Sequence, residues 1–154
     1  MSVAFVMAMV GFILMAGLSL TGSAIGVVIG GSAVIGALKK KPEVFGTTLV
    51  LSSMPATQGL YGFVAFILYN GNVVELGKSI SIFQGLVVLA AGAVVGLVCL
   101  ISAITQGRVV AHGIVATGDG HNVFANTLIL GAFPEFYAIL SLVTAIMMMG
   151  LLKI

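Results

Sequence analysis

Charge is what this chain has least of. Only 6% of its 154 residues are Asp, Glu, Lys or Arg, six basic and four acidic, against about 25% in an average soluble domain. With 60% hydrophobic residues and a mean hydropathy of +1.29, a soluble monomer is excluded. The chain reads as an integral membrane protein with nearly all of its length in lipid. Its formal charge of +2 is too small to mark a nucleic-acid partner. Cysteine is confined to Cys99, so no internal disulfide can form, and in its apolar run that thiol reads as a small buried hydrophobe. The opening Met1-Ser2-Val3-Ala4-Phe5 lacks the basic stretch of a cleaved signal peptide, which is therefore not expected. No P-loop is present, so the chain itself is not expected to hydrolyse nucleotide. Period-two alternation is missing as well, which makes membrane-spanning strands a poor alternative.

What is there is four long apolar runs. Three polar breaks separate them: Lys39-Lys40-Lys41-Pro42-Glu43, the stretch 70–79 with Glu75 and Lys78, and Thr117-Gly118-Asp119-Gly120-His121-Asn122. The runs cover about 3–38, 44–69, 80–116 and 123–152, each longer than the ~20 residues a spanning helix needs. The first and third, about 35 residues or roughly 50 Å of helix, are expected to protrude or tilt. Three consecutive lysines put loop 39–43 on the cytoplasmic side. Four spans then put loop 117–122 there too, with both termini outside. Arg108 agrees and reads as a snorkelling residue. Lys78 and Lys153 are minor exceptions, and His112 and His121 read as interfacial.

The second half repeats the first at a constant offset of 79. Ser23-Ala24-Ile25 matches Ser102-Ala103-Ile104, Val44-Phe45 matches Val123-Phe124, Thr48-Leu49 matches Thr127-Leu128, and Pro55 matches Pro134. The expected fold is all-α, four transmembrane helices as two duplicated hairpins, 1–79 and 80–154, running in parallel through the membrane. Gly22, Gly26 and Gly30 form a smooth stripe on the first run, and Gly92, Gly96, Ala103, Gly107 and Ala111 form one on the third. Such stripes let backbones approach closely in lipid, within one hairpin or between subunits around the inner wall of a ring. They also suit a tight monomeric bundle.

The repeat is asymmetric at one position: Glu135 follows Pro134, whereas Ala56 follows Pro55. Glu43, Glu75 and Asp119 fall in the breaks and read as solvated loop charges. Glu135 alone lies inside a span, where a carboxylate costs at least ~2.5 kcal/mol to insert. Counted from the cytoplasmic breaks, Glu135, Thr57, Gln58 and Gln106 all lie roughly 18–20 Å down their helices. Tyr61 starts one turn deeper and leans back toward the same level. Pro55 and Pro134 each free a carbonyl one turn earlier, and the carbonyl of Met54 is a further oxygen donor. About five oxygens suit a hard monovalent cation, sodium first. A proton carrier would need only the acid and one hydrogen-bond partner. The plain alternative for Thr57, Gln58 and Gln106 is hydrogen bonding between helices, and for Tyr61 an aromatic at the lipid interface. No Cys or His lies at this depth to favour a transition metal.

Pro134-Glu135-Phe136-Tyr137-Ala138-Ile139, Pro55-Ala56-Thr57-Gln58-Gly59-Leu60-Tyr61-Gly62 and Thr105-Gln106-Gly107-Arg108 together resemble the membrane rotor proteolipid of V-type and A-type ATPases. This is the duplicated c subunit, called subunit K in bacterial sodium-pumping enzymes, and the likeness covers essentially the whole chain. The resemblance implies a non-catalytic subunit of a prokaryotic cell membrane that assembles with identical copies into a rotor ring. It further implies a stator subunit with a basic group and a central-stalk subunit as partners. One ion per chain would sit on Glu135, with Na+ held by Thr57, Gln58, Gln106, Glu135 and the Met54 carbonyl, and Tyr61 bonding the carboxylate. Met54 stands where sodium-binding relatives often have Leu, a change that a carbonyl ligand tolerates. A proton-carrying rotor and a free-standing cation channel are the rival expectations.

Overall fold

The computed structural model describes residues 2–154, with Lys78 described by its backbone alone; the orientation argument drawn from that side chain lies outside the described residues. Four helices are long and apolar enough to cross a membrane: Val3–Lys40, Pro42–Leu76, Ile82–Gly118 and Phe124–Lys153. They are called the first to fourth helices below. No strand occurs among the described residues.

The helix ends follow local chemistry. Ser2 and Ser81 cap the first and third helices, and Ser81 forms a reciprocal capping box with Gln84, which satisfies amides that the first turn leaves free. Gly77 ends the second helix with φ at 52°, a left-handed conformation that suits glycine. That end corrects the expected boundary. The polar stretch from Asn70 reads as a break, yet the helix continues through it to Leu76. Asn72 bonds back to the carbonyl of Leu68, Val73 is buried, and no proline interrupts the turn. Polar residues at a helix end report the edge of the lipid, not the end of the helix.

The first and third helices, 38 and 37 residues long, pack against each other from Gly85 on Ala4 to Gly118 on Ala37. The seam is made of backbone. A methyl group placed on Gly11, Gly22 or Gly26 would overlap the main chain of Val88, Leu100 or Ala103, and one on Gly92 or Gly107 would overlap that of Gly11 or Gly26. Within one chain the stripes therefore work between the two hairpins, the tight bundle that the spacing also allowed. Within hairpins, Gly30 admits Ser52, Gly62 admits Ser19 and Gly113 admits Thr127. The second and fourth helices lie against this pair and touch each other; the Tyr69 hydroxyl donates to the carbonyl of Ala145 at 2.6 Å. Where the loops after the first and third helices adjoin, Lys40 meets Asp119 at 2.6 Å, both well exposed, a pair worth about 0–1 kcal/mol.

Candidate functional site

Two prolines shape the walls of the site differently. At Pro55 the second helix breaks into Phe45–Ser53 and Ala56–Leu76. Pro55 has no amide to give the Leu51 carbonyl, so Met54 N–H takes that carbonyl instead at 3.3 Å, a three-residue turn in place of four. The Met54 carbonyl then accepts the Thr57 amide at 3.3 Å and the Thr57 hydroxyl at 3.0 Å. At Pro134 the fourth helix stays continuous over Phe124–Met148, and the carbonyl of Gly131 accepts the Gln106 side-chain amide at 2.8 Å.

The residues singled out by depth converge. The Tyr61 hydroxyl donates to Glu135 Oε1 at 3.0 Å, and Gln106 Nε2 donates to Glu135 Oε2 at 3.3 Å. Gln58 Nε2 donates to Gln106 Oε1 at 2.9 Å, while Gln58 Oε1 accepts the Thr57 hydroxyl at 3.3 Å. Gln58 and Gln106 have no exposed surface. Buried amides are costly unless fully bonded, and here each has partners at both ends. Glu135 is half-buried. Its open side faces a groove of about 620 Å³ lined by Leu128, Ile129, Phe133, Phe136 and Ile139, an apolar surface fit for lipid. Arg108, His112 and His121 are exposed and take no part. No cluster of His, Cys, Asp or Glu capable of holding a metal occurs among the described residues.

Two serines went unread in the sequence. Ser102 accepts from Gln58 Nε2 at 3.2 Å and donates to the carbonyl of Pro134 at 2.7 Å, tying the amide pair to the helix that bears Glu135. Ser23 donates to the carbonyl of Pro55 at 2.5 Å, the same bond in the other half. The signal was present, since Ser23 and Ser102 match in the repeat just as Pro55 and Pro134 do.

The sequence matches the ATP synthase C-subunit family over residues 4–69 and 89–148. The chain belongs to that family. The proteolipid is 38% identical to the V-type sodium ATPase subunit K of Enterococcus hirae, over 82% of this chain and 80% of that protein. It is 35% identical to the A-type ATP synthase subunit K of Methanocaldococcus jannaschii, over 91% of this chain but 60% of that longer protein. Against the c'' subunit of the V-type proton ATPase of Saccharomyces cerevisiae the identity is 24%, over 95% of this chain and 71% of the relative.

Proposed function

We propose that this proteolipid is the ion-carrying rotor subunit of a V/A-type rotary ATPase and moves Na+ by reversible binding at Glu135, one ion per chain. The two halves, 1–79 and 80–154, are one duplicated hairpin of which only the second carries an acid within a membrane span. Copies of the chain form a ring in a prokaryotic cell membrane, with loops 39–43 and 117–122 facing the cytoplasm. A central stalk meets the ring there, and a stator subunit presents a basic group in the membrane. Nucleotide chemistry belongs to other subunits.

The observation that supports the sodium reading is an oxygen-bearing network, joined to Glu135 through Gln106, that a proton would not need. Met54 O, Thr57 Oγ1 and Gln58 Oε1 form a connected set, and Gln106 bridges Gln58 to the carboxylate. Gln106 now turns its N–H to Glu135. For Gln106 to offer Oε1 to a cation, Gln106 and Gln58 must reorient together, because Oε1 now accepts from Gln58 and Nε2 also bonds the Gly131 carbonyl; Tyr61 keeps its bond to the carboxylate. The relative named a sodium ATPase subunit supports the same choice. Rotation follows from charge burial. An ionised, empty Glu135 facing lipid is costly, so a chain passes through lipid only when loaded. The stator's basic group attracts the bare carboxylate and releases the ion.

A proton carrier is the second reading. It is favoured by the yeast relative named as a proton ATPase subunit. A sodium-binding titration of the purified ring tests the choice. Saturable uptake of one Na+ per chain, lost in Glu135→Gln with assembly intact, is expected. If the ring takes up no sodium at any pH and carbodiimide labelling of Glu135 follows pH alone, the cargo is the proton.

A further inference from the structure

The four helices meet in a second polar layer that the ion site does not use. In the first helix Leu14–Leu18 opens into a π turn, and Ser19 follows it with no exposed surface. Hydroxyls such as those of Thr21, Thr105 and Thr144 bond the carbonyl four residues back. Ser19 does not bond that of Met15, because a π turn shifts the carbonyls out of α-helical register. Among the described residues its hydroxyl is the one buried side-chain oxygen or nitrogen that lacks a hydrogen-bond partner. Buried polar groups are bonded in the great majority of cases, so an exception calls for a partner.

The surroundings are small and polar. Ser19 Oγ and the Met15 carbonyl both face Gly62 of the second helix, where a methyl group would overlap them. Cys99 of the third helix, also without exposed surface, adjoins Ser19. Its thiol lies 3.9 Å from the hydroxyl of Ser141 on the fourth helix. Ser141 donates its own proton to the carbonyl of Ala138 at 2.7 Å, which leaves its oxygen as an acceptor. The repeat puts the two serines on opposite walls: Val98 stands 79 residues after Ser19, and Gly62 stands 79 before Ser141. Each hairpin gives the layer one serine, the first from its leading helix and the second from its trailing one.

We infer that this layer binds one water molecule. The water accepts from Ser19 and donates to Ser141 Oγ and the Met15 carbonyl, with the Cys99 thiol alongside. Three bonds are the usual complement of a buried water. The ligand is neutral, because no charged side chain is among these groups. It is small, because Gly62, Cys99 and Ala138 are the residues around it. Ser19 precedes Ser23 by four residues, Cys99 precedes Gln106 by seven, and Ser141 follows Glu135 by six. The water therefore lies roughly 6–10 Å from the level of the carboxylate, on the side away from loops 39–43 and 117–122. Toward those loops the core is the apolar cluster of Val34, Ala37, Leu51, Val110 and Ile114. The bundle is wet on one side of Glu135 and apolar on the other, whichever ion that residue carries.

Cys99 is the only cysteine of the chain, so its S–H stretching band in the infrared reports this layer alone. The purified protein is transferred to D2O and the conversion of S–H to S–D is followed. Conversion is expected while the protein stays folded, because a resident water brings deuterium to the thiol. It is expected to slow at least tenfold in Ser19→Ala, which removes the anchoring donor. A density map of the unsubstituted protein, fine enough to show ordered water, is expected to hold one peak within hydrogen-bond distance of both Ser19 Oγ and Ser141 Oγ. An S–H band that persists in D2O, or a Ser19→Ala protein that converts at the parent rate, overturns the proposal. If Ser19→Ala fails to assemble, the map decides alone: no peak, with the Ser19 hydroxyl turned onto Met15 or Cys99, means that the layer is dry.

Discussion

In the first hairpin Ser23 donates to the carbonyl of Pro55; in the second, Ser102 donates to that of Pro134. From this shared joint the hairpins diverge. The first breaks its helix at Met54 and Pro55 and turns Thr57, Gln58 and a main-chain carbonyl toward the site, with Ala56 next in line. The second keeps its helix whole and places Glu135 there. The two hairpins divide the labour: the first lacks the membrane acid and lines the site with oxygens, and the second carries the acid on a regular backbone. Neither hairpin contains the complete set alone, so the site exists only where the two meet.

Moving the acid is the harshest way to break this comparison. Glu135→Ala combined with Ala56→Glu keeps the charge count but puts the carboxylate beside the break. Sodium binding by the purified protein is expected to fall at least a hundredfold and not to recover, because Gln106 and Tyr61 are placed for position 135. Recovery to near the parent affinity would show the hairpins to be interchangeable. Next comes the seam between hairpins. Gly26→Val drives side-chain atoms into the backbone of Ala103, and overpacking of this kind costs about 1–3 kcal/mol or more. Gly31→Val enters open space and is the matched control. Thermal dissociation of the assembly in detergent should fall sharply for the first variant and hardly for the second; equal losses would deny the seam its role. The smallest effect separates the two serines. Ser23→Ala and Ser102→Ala each remove one bond to a proline carbonyl, worth about 0.6 kcal/mol on average in membrane helices. Only Ser102→Ala also strips a partner from Gln58. Similar stability losses are expected from both, with a several-fold drop in sodium affinity from Ser102→Ala alone. An equal affinity loss from Ser23→Ala would mean that the joint acts through helix position only.

How far these features could be read from sequence depends on what fixes them. Depth was legible because helix rise is constant: counting from the loops brought Thr57, Gln58, Gln106 and Glu135 to one level, and they do meet. Glu135 stood out because an acid in lipid is rare. The serines were not legible, since a helical hydroxyl can equally bond its own preceding turn, as Thr21, Thr48 and Thr105 do. The end of the second helix was misjudged because polarity marks the membrane boundary, while the helix itself stops only at Gly77. The glycine stripes announced close contact but not with what, because small residues fit any backbone that approaches them.

That close contact has a mechanical consequence. Where the first and third helices touch through main chain, no side-chain rotamers are available to absorb a shear, and close-packed protein is poorly compressible. A load on the fourth helix reaches this spine through Gln106 and Ser102, and the spine yields little before it moves as one body.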